Sequence, residues 1–227
     1  MALEPTEERY IQALKFRWLT PLYDPVLRWA FRERTMKTRL VEQVHLQAGE
    51  RVLDLGCGTG TLAVMLKESQ PRAEVVALDG DPEVLARART KAAKAGAAIA
   101  FDEGMAYDLP YPDGSFDAVV ASLMLHHLVR EQRKRALSEV ARILRLGGAF
   151  HVADFGVPQN ALMGSLAKVS ELLEETADGV EGRLPGMFRA AGLVRVEETA
   201  HFATPLGSIA LYRAEKEGVH GRPDTGR

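Results

Sequence analysis

The sequence reads as an α/β domain. A mostly parallel sheet carries helices on both faces, a C-terminal antiparallel hairpin closes it, and a helical extension precedes it. Three observations carry this. The apolar run Val52 to Leu55 stops at Gly56, Gly58 and Gly60 and passes into a helical pattern at Leu62, Val64, Met65 and Leu66. Strand, glycine turn and helix open a βαβ unit. Further apolar runs then alternate with helical segments as far as Phe155, which requires right-handed crossovers and a parallel sheet. The last two runs are joined by Pro205-Leu206-Gly207 with no helix between them, so they form a hairpin.

Composition bounds the class. The 227 residues suffice for one such domain with additions, and 46% hydrophobic with 26% charged residues is ordinary for a globular protein. A net charge of −2 and a pI near 6.3 argue against nucleic acid as partner. Cys57 is the only cysteine, so no internal disulfide forms, which fits a reducing compartment. No apolar run reaches transmembrane length and the N-terminus lacks a signal-peptide pattern, so the cytoplasm is the expected location. No metal site is assigned.

Taken in order, residues 1–47 read as a helical extension on the lid or substrate side, 48–215 as the domain and 216–227 as a disordered tail. Tyr10, Ile11, Leu14 and Trp18 have helical spacing, broken by Thr20-Pro21 and Asp24-Pro25. A short helix around Val26 to Ala30 and a third from about Thr35 to Val44 follow. Seven basic residues stand against two acids between Lys15 and Arg39, with five aromatics interleaved. Such a segment fits either peripheral contact with an anionic membrane or helices packed over the domain with solvated arginine ends. Glu74 to Leu78 is the second strand. Asp81 and Pro82 start a helix that Gly96 ends near Ala95. Strands follow at Ala98–Glu103 and, after the turn Pro112–Ser115, at Asp117–Ser122. A helix from about Arg130 to Leu144 is closed by Gly147-Gly148 before a fifth strand, Ala149–Phe155. Helices are expected over Ala161–Thr176 and Arg183–Ala191. The hairpin pairs a strand through Val194–Val196 and His201-Phe202 with Ser208–Arg213.

Ligands of such sheets bind beyond the carboxyl ends of the strands, where strand order reverses. The residues to inspect there are Asp54, Asp79, Met105, Ser122 and Asp154. The turn is G-x-G-x-G preceded by an acid. A dinucleotide fingerprint requires glycine where Thr61 stands. Asp79 follows Asp54 by 25 residues, at the end of the neighbouring strand, where an acid can hold both hydroxyls of a ribose.

With Val52-Leu53-Asp54-Leu55 in front, the turn resembles motif I of the class I S-adenosylmethionine (SAM)-dependent methyltransferases, whose fold is a Rossmann-like seven-stranded sheet. Ala106–Asp117 is similar to that family's segment between strands three and four. Ser122-Leu123-Met124-Leu125-His126-His127 matches its stretch after strand four, and Leu144–Gly148 matches its turn before strand five. The resemblance covers most of residues 45–215, and its nearest group looks like the ubiquinone/menaquinone biosynthesis methyltransferases. It implies SAM as cofactor. Asp54, Gly56, Gly58, Thr59 and Gly60 would surround its methionine half, Asp79 and Gly80 its ribose, Met105 and Ala106 its adenine, with Ser122 beside them. Two departures stand out. Met105 occupies the place of the usual adenine-binding acid, and Leu146 that of a turn proline.

The resemblance implies an in-line methyl transfer, and the expected acceptor is a small apolar or amphipathic molecule. A base is needed only where the nucleophile must lose a proton. Candidates are His126, His127 and Asp154, while His151 reads as packed structure. Trp18 and Tyr23 are the lid or substrate residues. No Asn/Asp-Pro-Pro-Tyr/Phe tetrapeptide follows strand four, which argues against methylation of DNA base amino groups. A SAM-binding protein without catalysis is the alternative on the same fold, and oligomeric state is not assigned.

Overall fold

The computed structural model describes residues 33–158, 177–204 and 207–218. In chain order the elements are α1 (Glu33–Val44), β1 (Arg51–Leu55), α2 (Thr61–Ser69), β2 (Glu74–Asp79), α3 (Pro82–Lys94), β3 (Ala100–Glu103) and β4 (Phe116–Ser122). A 3-10 turn (Leu125–His127) leads to α4 (Arg130–Ile143) and β5 (Leu144–Phe155). Then come α5 (Ala177–Val180), α6 (Leu184–Ala190), β6 (Leu193–Thr204) and β7 (Gly207–Lys216). The sheet order is β3-β2-β1-β4-β5-β7-β6. The first five strands in that order run parallel, and β7 lies antiparallel to both β5 and β6. The sequence-based fold class therefore holds.

Alternation along the strands divides the core into two layers. Leu53, Val119, Phe150, Val152 and Tyr212 face one side, with Leu137 and Val140 of α4 and Phe188 of α6. Val52, Val75, Ala77 and Val120 face the other, with Met36 and Leu40 of α1, Leu62 and Leu66 of α2, and Leu85 of α3. Both faces of the central strands are covered, as a parallel sheet needs. Order reverses between β1 and β4. Leu55 is in register with Leu78 on one side and with Ala121 on the other, so the ends of β1, β2 and β4 open on one edge.

Two boundaries differ from the sequence reading. The helix before β5 ends at Ile143, and Gly147-Gly148 lie inside β5. The pairing of β4 with β5 jumps from Phe116↔Leu144 to Ala118↔Ala149, so the glycine turn survives as a bulge within the strand. A Cβ on Gly148 would meet the Asp117 carbonyl oxygen at 2.8 Å, a close approach that hides this turn inside a ladder. β3 starts at Ala100 because Ala97 N–H closes back on Ala92 O at 2.9 Å behind Gly96. The strand expected through Val194–Val196 and His201-Phe202 is β6, which is carried through two register shifts, at Val194/Glu197 and Glu198/Ala200. Trp18, Tyr23, the helices expected before residue 33, that over 161–176, the Pro205-Leu206 turn and most of the tail lie outside the described residues.

Candidate functional site

The glycine turn is tied to its neighbour strand before any ligand arrives. Gly56 N–H and Cys57 N–H both donate to Leu78 O, at 2.8 and 3.0 Å, and Gly60 N–H closes on Cys57 O. Gly60, at φ 72°, is the N-cap of α2 and has no side chain with which to accept from the first turn of that helix. By contrast α3 is capped by Asp81, which accepts from Glu83 N–H and Val84 N–H. Lys91 of α3 reaches back and donates to the hydroxyls of Thr59 and Thr61, at 2.8 and 2.6 Å.

Two acids stand at this edge. Asp54 is 1% exposed, and its Oδ2 has no hydrogen-bond partner. Burial pushes its pKa up to about 7, against the pull of Lys37 of α1 and a bond from Ala63 N–H. A cation beside Asp54 would ionise it. Asp79 Oδ2 accepts from Gly58 N–H at 2.8 Å and Oδ1 from Asp81 N–H at 3.0 Å. Each oxygen keeps a lone pair for a ribose hydroxyl. Ser122 Oγ, at the end of β4, is a second buried oxygen without a partner. Space above Gly58 is open within 4 Å of where a Cβ would stand.

These features fit SAM. An orphaned carboxylate suits its ammonium, a paired carboxylate with free lone pairs suits its ribose, and a glycine cradle admits its backbone-close approach. Met105 is half-buried and bridges to Asp108 in the loop after β3, beside buried Ala106. Asp102 is engaged by Tyr111 Oη at 2.9 Å, and Glu103 is exposed. Among the described residues no group of His, Cys, Asp and Glu could hold a metal ion.

Beyond Ser122 the chain turns at Leu123, φ 53°, and enters the histidine turn. Here the structure separates the candidate bases. Asp154 is 1% exposed and accepts from Leu125 N–H (2.9 Å), Phe155 N–H (2.8 Å) and His126 Nδ1 (2.8 Å). It is a partner of His126 rather than an independent base. Burial alone would raise its pKa, but His126 and Phe155 N–H hold the carboxyl below its ordinary range. An ionised carboxylate only accepts, so Nδ1 of His126 carries a proton and donates it to Asp154. His127 packs against His126 with the rings tilted by 47° and their centroids 4.1 Å apart. His151 lies elsewhere, buried against Gln43 Nε2 at 2.9 Å, in agreement with its reading as packing.

Sequence reasoning missed Lys91, Arg133 and Asp178. Arg133 left a trace, since it stands on the apolar stripe of its helix with Ala136, Leu137, Val140 and Ile143.

Fold and site together define a methyltransferase of the Rossmann-like kind. A family model described as a methyltransferase domain matches residues 52–148. The chain is 40% identical over 143 residues to a demethylmenaquinone methyltransferase of Thermus thermophilus, spanning 63% of this chain and 61% of that protein. It is 39% identical over 180 residues to the demethylmenaquinone methyltransferase of Deinococcus radiodurans, spanning 75% of this chain and 73% of that one. Among solved structures, the apo SAM-dependent methyltransferase SibL superposes with a TM-score of 0.71 at 22% identity, covering 86% of this chain and 58% of that one. The chain belongs to the SAM-dependent methyltransferase family, in the group that includes the quinone methyltransferases.

Proposed function

We propose that the chain methylates a reduced quinone or similar small aromatic hydroxy compound. The observation that carries this is the His126–Asp154 pair, two residues beyond Met124, whose side chain packs on Gly56 of the glycine turn. Bound SAM supplies an electrophilic methyl group. Asp154 fixes the ring and tautomer of His126, and Nε2 of His126 takes the proton from an acceptor hydroxyl. Removing that proton makes the oxygen, or the ring carbon beside it, the nucleophile. Base catalysis of this kind is worth about 10²–10⁴-fold. Asp54 and Asp79 orient the cofactor, and alignment adds several kcal/mol more, of order 7–11 at best. The names of the two relatives above support a naphthoquinol-type acceptor. Trp18 and Tyr23 belong to this reading as acceptor-side residues, and cytoplasmic placement fits the single Cys57, a buried thiol whose pKa burial pushes up. Among the described residues no helix is long and apolar enough to cross a membrane.

The test is incubation with SAM and reduced 1,4-naphthoquinone, read by mass spectrometry. A product heavier by one methylene is expected, with His126→Gln slower by about 10²-fold or more. Tight SAM binding with no turnover of this or other phenolic acceptors would overturn the proposal in favour of a non-catalytic SAM-binding protein.

A further inference from the structure

We infer that Arg133, held by Asp178, is a positioning residue for His126. Arg133 is 2% exposed, at a place on α4 where the buried stripe calls for an apolar side chain. Its fork spans the histidine turn. Nε donates to Leu125 O at 2.8 Å and Nη2 to Leu128 O at 2.7 Å, the carbonyls just before and just after the histidine pair. Nη1 donates to Asp178 Oδ2 at 2.5 Å. Leu125 is thus gripped twice, at its N–H by Asp154 and at its carbonyl by Arg133. Asp178 in turn accepts from Arg130 and Arg183 at 2.5 and 2.6 Å. Burial alone would raise its pKa, yet the three arginines hold it below the ordinary carboxylate range.

A buried ion pair is a poor way to gain stability, because desolvation offsets its attraction and a well-packed apolar pair often does better. What it supplies is registry. Val129 offers α4 no side-chain cap, so the approach to the helix is fixed instead by the guanidinium. Among the described residues, the charged and titratable groups around His126 include Asp154 of β5, His127 of the same turn, Arg133 of α4 and, through Arg133, Asp178 of α5. Lysine could replace the charge at position 133 but not three directed bonds in one plane.

This inference rests on His126 being the base, and its test has an arm that does not. Wild type, Arg133→Lys and Arg133→Met are labelled with ring-15N histidine, and the His126 signals are identified by their loss in His126→Gln. Wild type should show one tautomer, protonated at Nδ1, and either folded variant should show mixed tautomers or a broadened Nδ1–H. With reduced 1,4-naphthoquinone, kcat should fall about tenfold to a hundredfold, while S-adenosylhomocysteine affinity by calorimetry stays as in wild type. Wild-type His126 spectra and kcat in Arg133→Lys would overturn the inference, because charge alone would then suffice. If wild type fails to methylate the quinol, the proposed reaction falls, and the His126 spectra still decide the positioning role.

Discussion

Asp79 does two jobs with one carboxylate. It accepts the N–H of Gly58, so it helps hold the glycine turn, and it accepts the N–H of Asp81, so it shapes the entry to α3. Its remaining lone pairs point to the ribose role. Asp79→Ala should weaken SAM binding about tenfold or more, since a charge-assisted hydrogen bond is worth roughly 1.5–3 kcal/mol. Calorimetry with S-adenosylhomocysteine reads this directly, and unchanged affinity would show that the ribose sits elsewhere. Asp79→Asn keeps one acceptor oxygen and should lose less. Asp54 and Asp154 make the opposite pair. Both are buried to the same degree, but Asp154 is saturated with donors and stays ionised, whereas Asp54 keeps an empty oxygen and a raised pKa. Equal burial therefore gives one carboxylate a fixed structural charge and leaves the other waiting for a cation.

At the scale of the element, the glycine turn separates stability from binding. Gly56 has φ 68°, and a Cβ there would collide with Cγ of Met124. Gly58 has φ 54°, but its Cβ would enter open space. Gly56→Ala should cost about 2–4 kcal/mol from left-handed strain and overpacking together, measured by urea unfolding. Gly58→Ala should cost only about 1–2 kcal/mol yet bind SAM much more weakly, because its methyl fills the cradle. Equal stability losses in the two variants would sink this distinction. The turn, β1, β2 and the acid Asp79 were legible in the sequence because each rests on contacts within one βαβ unit. Helical and strand patterns also placed β4, α4 and the helices on both faces of the sheet. The Arg133–Asp178 link was not legible, since its partners lie 45 residues apart and come together only when α5 packs behind β5. The same holds for Lys91 on the glycine turn and for Asp154, which sequence reading offered as a base and the fold turned into a clamp on His126. The strand that swallows Gly147-Gly148 was hidden because the irregularity in its ladder and a turn share the same residues.

For the whole molecule, two buried groups bend the pH dependence of stability in opposite senses. His151 is held neutral by burial and by Arg213, its pKa lowered to about 4. Below the unfolded value near 6.5 the unfolded chain takes up a proton that the folded chain refuses, so stability falls as pH falls through that window. Asp54 does the reverse. Its folded pKa of about 7 exceeds the unfolded value, so its contribution is fully present below about pH 4 and is lost as pH rises towards 7. Wild type should therefore show little net change between pH 4.5 and 6.5 from this pair. Asp54→Asn removes only one of the opposing effects and leaves His151, Asp154 and Asp178 untouched. Without cofactor, the variant should gain on wild type as pH rises from 4.5 to 8. The gain should reach a few kcal/mol, because each tenfold difference in proton affinity between folded and unfolded chain is worth about 1.4 kcal/mol. Paired urea melts at the two pH values measure the difference, and a pH-independent offset would show that Asp54 is not strained in the empty protein. Saturating S-adenosylhomocysteine should reverse the ranking at pH 8, because its ammonium pairs with the Asp54 carboxylate, already ionised at that pH, and turns the cost into binding. The fold thus holds a destabilising carboxylate at the edge where the cofactor is expected, and a ligand whose ammonium paired with it would stabilise the native chain by mass action while offsetting that cost.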